Sequence, residues 1–125
     1  MNIEQLTSQV SVSDQIGVDD LQVLLDMGVE LLVCNRPDDE DQDQVPFADI
    51  EQEAQRLGLE CTSLAFSSYQ ITADNRNKFI KLIETRKRIH NYCRSGARSK
   101  RLWREANAVV GGEEEFNALN AQASN

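Results

Sequence analysis

Histidine occurs once in this chain, at His90, and cysteine three times, at Cys34, Cys61 and Cys93, with no C-x-x-C pair. That leaves no ligand set for a zinc site, and three unpaired cysteines predict reduced thiols rather than a disulfide framework. Long apolar runs are missing too. None approaches the roughly 20 residues that a membrane span needs, and the first residues lack the basic and apolar regions of a secretory signal. The expectation is therefore a cytoplasmic protein with no membrane partner, no metal and no cofactor.

What is present is ordinary in bulk: 125 residues, 40% hydrophobic and 27% charged. These values suit one domain with one modest core. A single unit over 1–125 is expected, its last stretch, 113–125, forming a short helix and a polar tail. The charge is less ordinary. The net of −8 conceals 16 acids against 2 bases in residues 1–75 (net −14) and 11 bases against one acid in residues 76–104 (net +10). Acidic overall charge argues against nucleic acid as a partner. The basic block, by contrast, favours a small anionic substrate wherever it lines a site. Arg86, Lys87 and Arg88 read equally well as a solvated helix end. The acidic run Asp38, Asp39, Glu40, Asp41 and Asp43 reads as a solvated loop.

Periodicity gives alternating elements. Leu21–Met27 has helical apolar spacing and stops at Gly28, and Val29–Cys34 is a short buried-strand run. A polar loop over Arg36–Val45 precedes a helix from Phe47 to Leu57, closed by Gly58. Leu59–Phe66 reads as a strand and Ser67–Ile71 as a loop. Thr72 is a suitable N-cap for a helix carrying Phe79, Ile80, Leu82 and Ile83. Arg88–Tyr92 reads as a strand, followed by a helix after Arg98 that Gly111-Gly112 should end. A last short helix over Glu113–Asn120 is expected beyond it, and one or two short edge strands within Ile3–Ser13. Strands alternating with helices imply βαβ crossovers. The expected fold is α/β, three-layered, with a mostly parallel central sheet and helices packed on it. Ligands bind beyond the carboxyl ends of such strands.

One segment lies at such an end: Cys93-Arg94-Ser95-Gly96-Ala97-Arg98-Ser99. A cysteine after a strand, a loop of small residues and an arginine at a helix start together form an anion trap around a thiol. A free thiol titrates near about 8.5, whereas one at a helix N-terminus beside cations falls to roughly 3.5–7.5 and becomes a nucleophile at neutral pH. Cys93 can also be read as a small buried hydrophobe, but the loop beside it favours catalysis or anion binding. Cys34 and Cys61, in apolar strand patterns, read as core. His90 reads as a satisfied core or surface histidine, and Trp103 as packing against the sheet.

The loop has a style shared by cysteine-dependent phosphatases and rhodanese-like sulfurtransferases. Dual-specificity phosphatases space cysteine and arginine as C-x5-R. Here the spacing is C-x4-R with Tyr92 before the cysteine, which resembles single-domain rhodaneses. The rest of the chain, from about Leu6 to Leu102, resembles the bacterial β-lactamase-hydrolase-like phosphatase domain family. The matching pieces are Val10–Gln15, Asp20-Leu21, Met27-Gly28, Asn35–Glu40, Gly58-Leu59, Ile71-Thr72, the cysteine–arginine loop and Leu102-Trp103. The resemblance implies a dual-specificity-phosphatase-like fold of the protein-tyrosine-phosphatase type. Members of the family are labelled phosphatases or sulfurtransferases, and some are fused to persulfide dioxygenase domains.

Carried onto these residues, the resemblance makes Cys93 the nucleophile and Arg98 the clamp on the substrate oxyanion. Arg94, Ser95, Gly96 and Ala97 become the amide cradle, and Ser99 a partner of the thiolate or a help in releasing the intermediate. Gly96 is expected at a turn that only glycine adopts easily. A dual-specificity phosphatase also needs a general acid before the cysteine. The equivalent stretch, Phe66–Gln70, contains no carboxylate, and Asp74 is a weak substitute. Three readings stay open: a phosphoester hydrolase working through phosphocysteine, a sulfurtransferase carrying a persulfide on Cys93, and an anion-sensing module without turnover.

Overall fold

The computed structural model describes the backbone of residues 1–67 and 71–123, with side chains as far as residue 110. Two strands, β1 (Ile3–Gln5) and β2 (Val10–Ser13), lead into helix α1 (Asp20–Asp26) and strand β3 (Leu31–Cys34). Helix α2 (Phe47–Leu57), strand β4 (Glu60–Ser63), helix α3 (Ala73–Glu84), strand β5 (Ile89–Tyr92) and helix α4 (Ala97–Ala123) follow. The sheet order is β1-β2-β5-β3-β4, parallel throughout except that β1 runs antiparallel to β2.

Period-two alternation divides the apolar strand residues between two faces. Leu32, Cys34 and Tyr92 pack under α1 and α2 with Leu21, Leu24, Ile50 and Ala54. Val10, Leu31, Val33 and Ile89 pack under α3 and α4 with Phe79, Leu102 and Ala106, and Trp103 lies against this second cluster. The three layers expected from the sequence are therefore present.

Local signals set several boundaries. Gly58, at φ +76°, closes α2 with a left-handed residue, as expected. The Thr72 hydroxyl accepts from the Asn75 amide at 3.1 Å and caps α3. Asp38, in the acidic loop, accepts from the Phe47 amide at 2.8 Å and so holds the start of α2.

Three expectations are corrected. Strand β2 is not an edge: it is buried between β1 and β5, and β1 alone covers its far side. Strands β3 and β4 are shorter than their apolar runs. Val29 instead packs in the core, and Leu64 and Phe66 pack beneath α3 and α4 after β4 has ended. Gly111-Gly112 does not end a helix, because α4 continues to Ala123 and contains the segment read as a separate short helix. Glycine costs a helix interior about 1 kcal/mol relative to alanine without forbidding it, and Glu113, Glu114, Glu115 and Ala118 are strong helix formers. The cations at 86–88 follow the end of α3, in keeping with the helix-end reading, and lie before β5 at the end of the sheet opposite the cysteine loop; Lys87 there pairs with Glu60 at 2.5 Å. Ser68, Tyr69 and Gln70 of the expected loop, and the final two residues of the expected polar tail, lie outside the described residues.

Candidate active site

The strand order places β5 between β2 and β3, so three parallel strands end side by side. Their carboxyl ends bring Ser13, Cys93 and Asn35 together: the Cys93 amide donates to the Ser13 carbonyl at 3.3 Å and the Asn35 amide to the Tyr92 carbonyl at 2.8 Å. From this point the chain passes through Arg94, Ser95 and Gly96 directly into α4. Gly96 has φ +94°, and a β-carbon there would lie 3.4 Å from the Ser13 carbonyl. The glycine expected at a tight turn is thus favoured by its left-handed backbone conformation, while a β-carbon would only come into contact with the end of β2.

Cys93 is fully buried. Its Sγ accepts a hydrogen bond from the Gly96 amide at 3.1 Å. Of the amides expected to form a cradle, Gly96 reaches the sulfur, while the Ala97 amide donates to Ser95 Oγ at 3.3 Å. Ser99 departs from expectation. Its buried hydroxyl donates to Asn35 Oδ1 at 2.8 Å, and Asn35 in turn donates to the Leu64 carbonyl at 2.9 Å. One hydroxyl proton makes one such bond, so Ser99 ties α4 to the end of β3 rather than donating to the thiol.

Arg98 stands in the first turn of α4, over a cavity of about 360 Å³ lined by Glu40, Ser67, Arg94, Ser95, Ala97 and Arg98. Its guanidinium meets Glu40 in a two-pronged pair, Nη1 to Oε2 at 2.7 Å and Nη2 to Oε1 at 2.6 Å, and Nη1 also donates to the Phe66 carbonyl at 3.1 Å. Glu40 Oε1 further accepts from Arg36 Nε at 3.0 Å. Arg36, only 4% exposed, also donates to Gln15 Oε1 at 2.9 Å and to Asp41 at 2.7 Å. Asp41 reaches Arg94 at 3.3 Å. The hydrogen bonds from Arg98 hold the Glu40 carboxyl below its usual range despite partial burial. Glu40 in turn raises Arg98, with a smaller contribution from Cys93.

The structure therefore places Cys93, Arg94, Ser95, Gly96, Ala97 and Arg98 in one loop and first helical turn, and brings Glu40, Asp41, Arg36 and Gln15 up to it. Glu40 and Asp41 were missed because a run of acids resembles a solvated loop, and Gln15 and Arg36 because only the fold joins them to those acids. Arg36, one of only two bases in residues 1–75, was the available signal: it is a cation within four residues of Glu40 at the end of a strand, whereas Arg56 pairs with Glu53 on α2. Asp74 is not part of the group; it is exposed in the first turn of α3 and pairs with Lys78 at 3.0 Å.

His90 supports the site from behind. It is buried with Nδ1 2.7 Å from Ser11 Oγ and Nε2 2.8 Å from Ser13 Oγ. Ser13 donates its own proton to the Asp14 carbonyl at 2.9 Å, so His90 Nε2–H donates to Ser13 and Nδ1 accepts from Ser11. Burial lowers the imidazole pKa to about 4, which keeps it neutral. Burial also raises the Cys34 thiol, and the Cys61 thiol to about 12, in keeping with core roles.

The family described as β-lactamase hydrolase-like protein, phosphatase-like domain, matches residues 2–110. Among solved structures, a candidate phosphatase from Neisseria meningitidis Z2491 is 28% identical, with 79% of this chain and 71% of that one aligned at a TM-score of 0.72. A candidate phosphatase from Shewanella putrefaciens CN-32 aligns over 88% of this chain and 69% of its own at 14% identity and a TM-score of 0.75. Tk-PTP aligns over 95% and 92% at 13% identity and a TM-score of 0.59. No curated protein sequence matches the chain. The fold is that of the protein tyrosine phosphatases. With its sheet, its cysteine–arginine loop and a family match over nearly the whole described length, the chain belongs to the phosphatase-like domain family of β-lactamase hydrolase-like proteins.

Proposed function

We propose that the chain is a cysteine-dependent phosphatase acting on a small phosphorylated substrate. The observation that carries this reading is the Gly96 amide directed at Cys93 Sγ at 3.1 Å, at the mouth of the helix whose first turn carries Arg98. An amide and a helix N-terminus favour negative charge on the sulfur and on an oxyanion beside it. In the proposed reaction the Cys93 thiolate attacks phosphorus and the bond to the leaving oxygen breaks, giving phosphocysteine and an alkoxide or phenolate, which takes its proton from water. The hydroxide so formed attacks the phosphocysteine, the S–P bond breaks, and inorganic phosphate and the Cys93 thiolate are released. Arg98 would bind the phosphoryl oxygens as charge builds on them.

A sulfurtransferase reading is favoured by one specific feature. The carboxylate at the cavity is Glu40, held ionised by Arg98 and Arg36, so it is a poor proton donor to a leaving group. Attack of the Cys93 thiolate on the outer sulfur of thiosulfate or of a persulfide breaks the S–S bond and releases sulfite or the donor's thiolate, stable anions whose departure needs no such acid.

An aryl phosphate assay tests the leading reading. Turnover should be inhibited by vanadate and abolished by Cys93→Ser. If thiosulfate instead adds one sulfur atom to the intact mass at Cys93 and aryl phosphate is not turned over, the second reading replaces the first. Oxyanion binding with neither activity would mark an anion-binding module.

A further inference from the structure

We infer that Glu40 is a positioning residue, which fixes the Arg98 guanidinium by one edge and leaves its other edge free to grip the substrate oxyanion. The inference rests on Arg98 acting on a bound oxyanion, as proposed above.

Counting donors gives the geometry. A guanidinium has five N–H groups in a rigid plane. Both protons of Nη1 are committed, one to Glu40 Oε2 and one to the Phe66 carbonyl, and one proton of Nη2 goes to Glu40 Oε1. Among the described residues, what remains is Nε–H and the second Nη2–H, a parallel pair suited to two oxygens of a tetrahedral anion. Without Glu40, the arginine could turn its whole fork either way.

The opposite idea is that Glu40 occupies the clamp and must leave before an anion binds. Arg36 decides against it. Its side chain is almost wholly buried, and Glu40 is one of only two carboxylates that pair with it among the described residues. Displacing Glu40 would leave a buried cation half-neutralised, an unfavourable state. Gln15 and Asp41 hold Arg36 from its other nitrogens. Glu40 is thus anchored from the interior and presented to Arg98, with its position set by the fold and independent of substrate.

The test uses tungstate, a tetrahedral oxyanion that is bound and not turned over, titrated calorimetrically into the wild-type chain and into Glu40→Gln, Arg98→Ala and the double variant. Glu40→Gln should weaken tungstate binding by about tenfold or more, and Glu40→Asp, which keeps the charge but withdraws it, should fall between. In the Arg98→Ala background the same Glu40→Gln change should matter by less than about twofold, because it acts through Arg98. Thermal melts confirm that each variant is folded; if Glu40→Gln is not, Glu40→Asp in the two backgrounds supplies the same comparison.

Tighter binding by Glu40→Gln, an equal loss in both backgrounds, or no tungstate binding by the wild-type chain overturns the inference. Binding that follows the predicted pattern without any aryl phosphate turnover sustains the role of Glu40 while removing the phosphatase reading.

Discussion

Gly96 shows how narrowly the cysteine loop is constrained at a single residue. Its φ of +94° is reached at a cost by any other side chain, and the space a β-carbon would take is bounded by the Ser13 carbonyl at 3.4 Å. Gly96→Ala should therefore lower stability by about 1–2 kcal/mol, read as a drop in urea midpoint. It should also disturb the amide that reaches Cys93, so turnover should fall further than stability alone explains; unchanged turnover would contradict the role given to that amide. Residues of this kind were legible in the sequence, because the spacing of Cys93, Gly96 and Arg98 carries its own geometry. Ser99 was not. A hydroxyl one residue past the arginine says nothing about which neighbour takes its proton, and Asn35, its acceptor, comes from a strand 64 positions away. Glu40 was hidden for a related reason: among five acids in a six-residue stretch, only the fold determines which of them face arginines, and that Glu40 is the one that meets Arg98.

At the level of elements, helix α4 connects core and site. Arg98 occupies its first turn, and Leu102, one turn later on the same side, is wholly buried against the sheet with Ala106. Leu102→Ala should cost about 2–5 kcal/mol. Denaturant unfolding should show that loss, whereas a change below about 0.5 kcal/mol would mean that α4 is held by other contacts. The helices and the parallel strands could be read from apolar periodicity, from Thr72 and from Gly58, since these signals are local. The place of β2 could not. Whether a short strand is an edge or an interior member depends on which strand returns beside it, and β5 arrives some 75 residues later. The length of α4 was misjudged because a glycine pair is only a modest penalty in a helix otherwise rich in helix formers.

For the whole molecule, the charge division has a structural meaning different from the one the sequence suggested. The basic block straddles the sheet, with Arg86–Arg88 before β5 and Arg94 and Arg98 beyond it, while the acidic half contributes both Arg36 and the carboxylates that pair with the site cations. The described residues contain no helix long and apolar enough to cross a membrane. The buried Ser11–His90–Ser13 ladder joins β2 to β5 beneath the loop and makes the fold sensitive to acid. The His90 pKa is depressed from 6.5 to about 4, so its contribution is complete above pH 6.5 and is lost as the pH falls toward 4, where the unfolded chain takes up the proton first. That loss amounts to about 3 kcal/mol. His90→Asn should flatten the dependence in urea melts across this window; an unchanged slope would mean that other groups cause it. The proposed function turns on Cys93 as the nucleophile of a phosphatase. Its most direct test is aryl phosphate turnover by the wild-type chain and by Cys93→Ser, each shown to be folded. Vanadate-sensitive turnover is expected for the first and none for the second, and turnover that survives in Cys93→Ser would contradict that role.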